Sequence, residues 1–186
     1  MERLKQLFNV KTIALNGIIA GLYAAVTIAC GSLSYQFMQL RFSELLNLLV
    51  FFNPSFTIGV TLGCFLANIF SMYGPIDVVF GTLTTLVACL LMVVYSKFIK
   101  NLFTSGLIPC LLNAIVVPFT IVLATMGTND AMPLTVETYF MMFGWVFLGE
   151  FVCINLIGYP LFLILSKRYK GFYRSVLATR NMDYKW

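Results

Sequence analysis

Apolar residues follow one another in six runs along this chain, and polar residues gather between the runs. A helix needs about 20 mostly apolar residues to cross a bilayer, and four of the runs reach that length or exceed it. Continuous apolar runs without a polar face are typical of helices buried in lipid or in a bundle. The predicted helices are 12–34, 42–52, 54–72, 76–95, 102–126 and 138–166.

The second run, 42–52, is only about half as long as a bilayer crossing requires. It carries Glu44 near its start, three residues after Arg41, and it ends at Asn53-Pro54, a turn signal that stops one helix and starts the next. Charges at the rim of the hydrocarbon are costly and tend to mark a binding site or an ion path. We therefore expect a short second helix that crosses half of the membrane and lets a pocket open beside it.

Composition makes this an all-α integral membrane protein built as one bundle, since 60% of the 186 residues are hydrophobic and 10% are charged. We divide it into a basic lead-in (1–11), a six-helix membrane domain (12–166) and a basic tail (167–186).

Every lysine and arginine except Arg41 lies in the lead-in, the tail or the Lys97–Lys100 loop. Six helices place these three regions on one side, which the positive-inside rule makes cytoplasmic. We expect a multi-pass protein of the plasma membrane with both termini in the cytoplasm.

Several functions are disfavoured by what the sequence lacks. It has no histidine, and its five cysteines are scattered through apolar runs without a Cys-x-x-Cys pair, so we expect no metal site and no cofactor. It has no Gly-x-x-x-x-Gly-Lys-[Ser/Thr] loop for ATP and no credible nucleophile–base pair, so we expect no catalytic residues. The net charge of +5 is explained by basic flanks beside the helices, and we expect no nucleic-acid partner.

The polar residues of the predicted helices fall in one half of the membrane, the outer half. One arginine stands there against three carboxylates, so acceptors dominate and the expected ligand is cationic or rich in N–H donors, with an aromatic ring for stacking. For several of these residues a structural role is also open: Arg41 and Glu44 can pair with each other, Asp77 can start a helix, and the asparagines can link helices. The candidate ligand-binding residues are Arg41, Glu44, Asn68, Asp77, Asn113, Trp145 and Glu150.

The first helix carries a stripe of small residues. Gly17, Gly21, Ala25 and Ala29 recur every four residues, with Ala20 and Ala24 beside them. Small residues let helix backbones approach closely, either within one bundle or between two proteins. The spacing alone leaves both roles open.

Six short motifs stand in order along the chain: 39–46 (QLRFSELL), 51–54 (FFNP), 63–68 (GCFLAN), 77–85 (DVVFGTLTT), 113–114 (NA) and 149–150 (GE). With these motifs the chain resembles the QueT family over residues 12–166. The resemblance implies a six-helix substrate-binding (S) component of an energy-coupling factor (ECF) transporter, which imports a precursor of queuosine such as a 7-deazaguanine base. It also implies a transmembrane coupling protein and two cytoplasmic ATPase subunits as partners. Docking to the coupling protein is expected through Ala20-x-x-x-Ala24 and Ala25-x-x-x-Ala29.

A different class of function also fits the residues. Glu150 lies near the middle of the last predicted helix, where an ionisable group usually has a task. It could carry a proton in a transporter or ion-conducting protein that works alone. Uptake driven by a pH gradient, in vesicles that contain only this chain, would favour that alternative over the ATP-driven importer.

Overall fold

The computed structural model describes residues 9–31, 40–126, 133 and 135–168. This part of the chain is mostly helical and contains no strand. We number the α-helices in chain order. They are α1 (Val10–Ala29), α2 (Leu48–Phe52), α3 (Thr57–Asn68), α4 (Gly74–Phe98), α5 (Leu102–Thr125), α6 (Val136–Phe151) and α7 (Tyr159–Arg168).

Four stretches in the described part are long and apolar enough to cross a membrane, as the hydropathy pattern predicted. They are α1, α4, α5 and the continuous stretch Val136–Arg168 that contains α6 and α7. Two shorter apolar stretches, Phe42–Phe52 and Pro54–Asn68, correspond to the second and third predicted helices. The all-helical membrane fold is therefore confirmed, while the count of six crossings and the cytoplasmic position of both termini stay predictions.

Helix ends depart from the predicted bounds where polar side chains cap them. The first helix begins at Val10 rather than residue 12, because the Asn9 side chain accepts a hydrogen bond from the Lys11 backbone N–H at 3.2 Å. It ends at Ala29, and residues 32–34 of the predicted helix lie outside the described residues. Thr135 caps α6 in the same way, through the Thr138 N–H at 3.2 Å, and α6 begins at Val136 rather than residue 138.

The second predicted helix is two kinds of helix in series. Phe42–Asn47 is a 3-10 helix, and α2 continues it for five residues up to Asn53. All five residues of α2 are buried, and the Phe51 and Phe52 rings meet edge to face with centroids 5.3 Å apart. A lipid-facing crossing would expose one side, so this short segment forms the centre of the bundle.

Helices α1 and α3 pack closely because α3 presents glycines to α1. A Cβ atom on Gly59 would lie 2.7 Å from the Asn16 carbonyl oxygen, and one on Gly63 would lie 2.6 Å from the Tyr23 Cβ. The Asn16 side chain then joins the helices, since its Oδ1 accepts the Gly59 N–H at 2.7 Å while its Nδ2 donates to the Thr12 carbonyl at 2.9 Å. Backbone contact of this kind holds α1 in one register against α3.

The last long stretch contains a π-helix, Val152–Gly158, between α6 and α7. Its buried Asn155 donates to the Phe103 carbonyl at 2.7 Å and so ties the π-helix to α5. Gly158 lies against the short second segment, with its Cβ position 3.0 Å from the Leu45 Cβ. The π-helix begins two residues after Glu150 and fixes that end of α6 against the centre of the bundle.

Candidate functional site

Three polar residues form a column along the 3-10 helix and its N-cap: Arg41, Glu44 and Asn47. Glu44 and Asn47 lie within the helix, which has three residues per turn, so their side chains share one face, and Arg41 is the N-cap residue three positions before Glu44. All three side chains are buried. In an α-helix the same spacing would turn each residue about 60° from the last, so the 3-10 geometry is what aligns the polar column.

Glu44 is held through both of its carboxylate oxygens. The Tyr23 hydroxyl on α1 donates to Oε1, and the Asn47 amide donates from Nδ2 to Oε2. The buried Thr27 hydroxyl forms a further link between the same elements, at 2.6 Å from the Ser43 hydroxyl. Because both oxygens of Glu44 accept hydrogen bonds and one of them comes from Tyr23, the side chain is held against α1.

Arg41 contacts the end of α3. Its guanidinium donates to Oδ1 of Asn68, at the end of α3. The Asn68 Nδ2 then donates to the Asp77 carbonyl at 3.2 Å, in the first turn of α4. Gly81 leaves the room for this contact, because a Cβ there would lie 2.6 Å from the Asn68 Nδ2. Asn68 thus links three elements, which is the cross-linking role that the sequence left open.

Asp77 has the structural role considered for it, and it also lies beside the polar column. It lies in the first turn of α4, where a carboxylate is favoured by the helix dipole. It is also buried, and it interacts electrostatically with Arg41. The helix start and the polar column are therefore neighbours in the folded chain.

Glu150 forms the other half of the cluster, on α6. Its side chain is fully buried, and its Oε1 accepts the Asn113 Nδ2 from α5 at 2.9 Å. Its Oε2 is buried and has no hydrogen-bond partner among the described residues. Glu150 interacts electrostatically with Glu44 and Arg41, so the α5–α6 pair and the polar column lie near each other. The arrangement offers an open carboxylate oxygen in the interior of a membrane bundle.

The structure brings six of the seven predicted ligand-binding residues into the interior, and the exception is Trp145. Trp145 is 45% exposed and lies on the same outer face of α6 as Met141 and Leu148. At 3.6 residues per turn it points about 140° around the helix from Glu150. Trp145 therefore lies outside the buried polar cluster, and its role as a stacking surface stays a prediction. The interior residues are Arg41, Glu44, Asn68, Asp77, Asn113 and Glu150.

Two further residues of the cluster, Tyr23 and Asn47, were missed in the sequence. Both stand inside apolar runs, where a single tyrosine or asparagine is easily taken as packing. For Asn47 a signal was present, because it continues the three-residue spacing of Arg41 and Glu44. That signal becomes readable only once the segment is known to be a 3-10 helix.

The small-residue stripe of α1 divides into two faces. Ala20 and Ala24 are buried against the bundle, at 6% and 8% exposure, so they are not available to a partner as the motif implied. Ala25 and Ala29 are exposed. Gly17 and Gly21 continue their line, with nothing within 4 Å of either Cβ position. The outward stripe is therefore Gly17, Gly21, Ala25 and Ala29.

Comparison with known proteins assigns the chain to a family. Residues 13–167 match the family described as QueT transporter. The chain is 33% identical over 151 residues to the protein named queuosine precursor transporter QueT from Lactococcus lactis subsp. cremoris (strain MG1363), an alignment that covers 79% of this chain and 86% of that relative. No solved structure matches the chain at a significant level. The match with the family, together with four helices of spanning length, identifies a multi-pass protein of the plasma membrane that belongs to the QueT transporter family.

Proposed function

We propose that this chain is the substrate-binding membrane subunit of an ATP-driven ECF importer and takes up a queuosine precursor of the 7-deazaguanine type. The ligand enters from outside the cell, and energy comes from separate ATPase subunits. Membership of the QueT transporter family and the name of the Lactococcus lactis relative support the transport of such a precursor.

The observation that carries the proposal is the open oxygen of Glu150. A buried polar atom without a partner is costly. A ligand with N–H donors removes that cost when it binds. A 7-deazaguanine presents its ring N–H and exocyclic amine side by side, and a carboxylate can accept two such parallel bonds. The Asn113 amide orients Glu150 for this contact by holding its Oε1.

The balance of charge in the cluster also favours a donor-rich ligand. Arg41 is the buried cation of the described interior, and it faces the buried carboxylates Glu44, Asp77 and Glu150. Buried charges are tolerated when they are paired and hydrogen-bonded. An aminomethyl form of the base would add a second cation to this set, and the neutral base would contribute donors alone.

The partner proposal follows from the outward stripe on α1. Gly17, Gly21, Ala25 and Ala29 give α1 a flat surface on which another helix can pack closely. We assign this surface to the transmembrane coupling protein, which in turn carries the two cytoplasmic ATPases. Of the alanines named by the motif, Ala25 and Ala29 make this contact, while Ala20 and Ala24 belong to the internal packing.

The first test is a thermal-shift screen of the purified chain against 7-deazaguanine bases, queuine and common vitamins. A ligand that binds only the folded state stabilises it by about 2.7 kcal/mol at a hundred times its Kd. The proposal expects a clear upward shift with deazaguanine bases and none with unrelated vitamins. Stabilisation by an unrelated vitamin, and not by any deazaguanine, would refute the assignment of substrate.

A second test separates the ATP-driven importer from a transporter that works alone. Proteoliposomes with this chain only are compared with proteoliposomes that also contain the coupling protein and ATPases. We expect uptake of labelled base only in the complete assembly with ATP. Uptake by the chain alone, driven by a pH gradient, would favour the stand-alone transporter.

A further inference from the structure

We infer that Asn47 determines specificity in the proposed site, by accepting an N–H donor of the ligand through its side-chain oxygen. The inference rests on the proposed function and adds a residue to it. Asn47 is fully buried in the last position of the 3-10 helix. Its Oδ1 has no hydrogen-bond partner among the residues that the structure describes.

The contact with Glu44 fixes which end of the Asn47 amide is open. The Glu44 carboxylate accepts from Asn47 Nδ2 on one oxygen and from the Tyr23 hydroxyl on the other. Both Glu44 oxygens accept these bonds, so the NH₂ end of the Asn47 amide faces the carboxyl group. The oxygen end then points away from Glu44, and it stays an acceptor in every arrangement that keeps this bond.

An open amide oxygen in this position has a physical cost. Leaving a buried acceptor unsatisfied costs about 1–3 kcal/mol, and native interiors rarely keep such groups without a reason. Glu150 Oε2 is the second open oxygen of the cluster, and Glu150 interacts electrostatically with Glu44, the direct partner of Asn47. Two open acceptors in one buried cluster match a ligand that has two or more N–H donors.

The cluster therefore has two kinds of member. Glu44 uses both oxygens on the protein and acts as a positioning residue, which holds Asn47 in orientation. Asn47 and Glu150 keep an oxygen for the ligand. A base that lacks one N–H donor should leave one of these two oxygens unpaired and bind more weakly.

The test measures Kd for 7-deazaguanine and for three analogues that each lack one donor: 7-deazahypoxanthine without the exocyclic amine, the N1-methylated base and the N9-methylated base. Wild type is compared with Asn47→Ala. We expect at least one analogue to bind wild type about tenfold more weakly than the parent base, which corresponds to one lost hydrogen bond. On Asn47→Ala, the Kd of the same analogue should differ from the Kd of the parent base by less than about threefold, because the side-chain acceptor is gone.

Asn16→Ala is the matched control, because Asn16 is also buried but has both ends of its amide bonded within the protein. It should lose stability and keep the wild-type discrimination between analogues. Where Asn47→Ala does not fold, the same comparison is made with Asn47→Leu, which keeps the approximate size of the side chain and has no acceptor. Loss of the wild-type discrimination between analogues in Asn47→Leu supports the inference, and wild-type discrimination in Asn47→Leu overturns it.

The two levels of the proposal fail in different ways. If every analogue loses the same affinity relative to the parent base on wild type and on Asn47→Ala, the role of Asn47 is overturned and the substrate assignment stands. Wild-type protein that binds none of the four bases would overturn the substrate assignment together with this inference.

Discussion

Substituting Gly63 by alanine should loosen the packing of α1 on α3 and weaken the polar cluster with it. The new Cβ would lie 2.6 Å from the Tyr23 Cβ and 2.9 Å from the Ala20 carbonyl oxygen. Neither atom is the end of a flexible side chain, so the backbone of α1 must move. Tyr23 moves with it, and its hydroxyl is the partner of Glu44 Oε1.

The size of the effect follows from two opposing contributions. Forcing an extra methyl group into a packed interior costs about 1–3 kcal/mol, and a collision with backbone belongs at the upper end. Alanine recovers about 0.5–1 kcal/mol over glycine within a helix. The net destabilisation is about 2 kcal/mol, which corresponds to a fall in Tm of about 4–8 °C for a chain of this size.

The assay is thermal unfolding of the detergent-solubilised chain, with Gly21→Ala as the matched control. Gly21 lies on α1, and nothing stands within 4 Å of its Cβ position, so its Tm should stay at the wild-type value or rise slightly. Ligand affinity should fall in Gly63→Ala and remain unchanged in Gly21→Ala. The packing argument is refuted if both variants unfold at the same temperature.

The remaining predictions use the same purified chain. Asn16→Ala removes the hydrogen bond to the Gly59 N–H and should lower the free energy of unfolding by about 1–2 kcal/mol, which is measured as a lower Tm. An unchanged Tm would contradict a stabilising link between α1 and α3 through Asn16. Ala24→Leu should lower the Tm of the isolated chain because Ala24 is buried. Ala25→Leu should leave the Tm unchanged and reduce co-purification with the coupling protein, because Ala25 is exposed. The reverse pattern would rule out the outward stripe as the docking surface. Trp145→Ala should leave the Kd for the base unchanged, and a large rise would return Trp145 to the site.

The helices could be predicted because hydropathy and end signals are local properties. Runs of apolar residues mark the long helices, and Asn53-Pro54 separates the second segment from the third. The burial of charged residues could also be predicted, since Glu150 and Asp77 have few other places in so apolar a chain. These inferences require no knowledge of which elements touch.

The faces of the helices could not be predicted, because they depend on distant residues. Ala20 and Ala24 resemble Ala25 and Ala29 in sequence, and what assigns the first pair to the interior is the close approach of Gly63 on α3. The exposed position of Trp145 could not be predicted for the same reason.

The type of helix at 42–47 could not be predicted from the sequence either. A 3-10 helix depends on its surroundings, such as the contact of Gly158 with Leu45, and no local signal in the segment distinguishes it from an α-helix. Without that geometry, Asn47 is one asparagine in an apolar run. With it, Asn47 completes the polar column.

The measurement that tests the central claim most directly is the affinity of the purified chain for 7-deazaguanine before and after Glu150→Gln. The glutamine keeps the shape of the side chain but places an N–H₂ group where the ligand needs an acceptor. A lost hydrogen bond to a charged group costs about 1.5–3 kcal/mol, so Kd should rise about 10- to 150-fold. The exposed carboxylate Glu137 on the same helix provides the control, and Glu137→Gln should bind as wild type does. Equal affinity in wild type and Glu150→Gln would contradict the account.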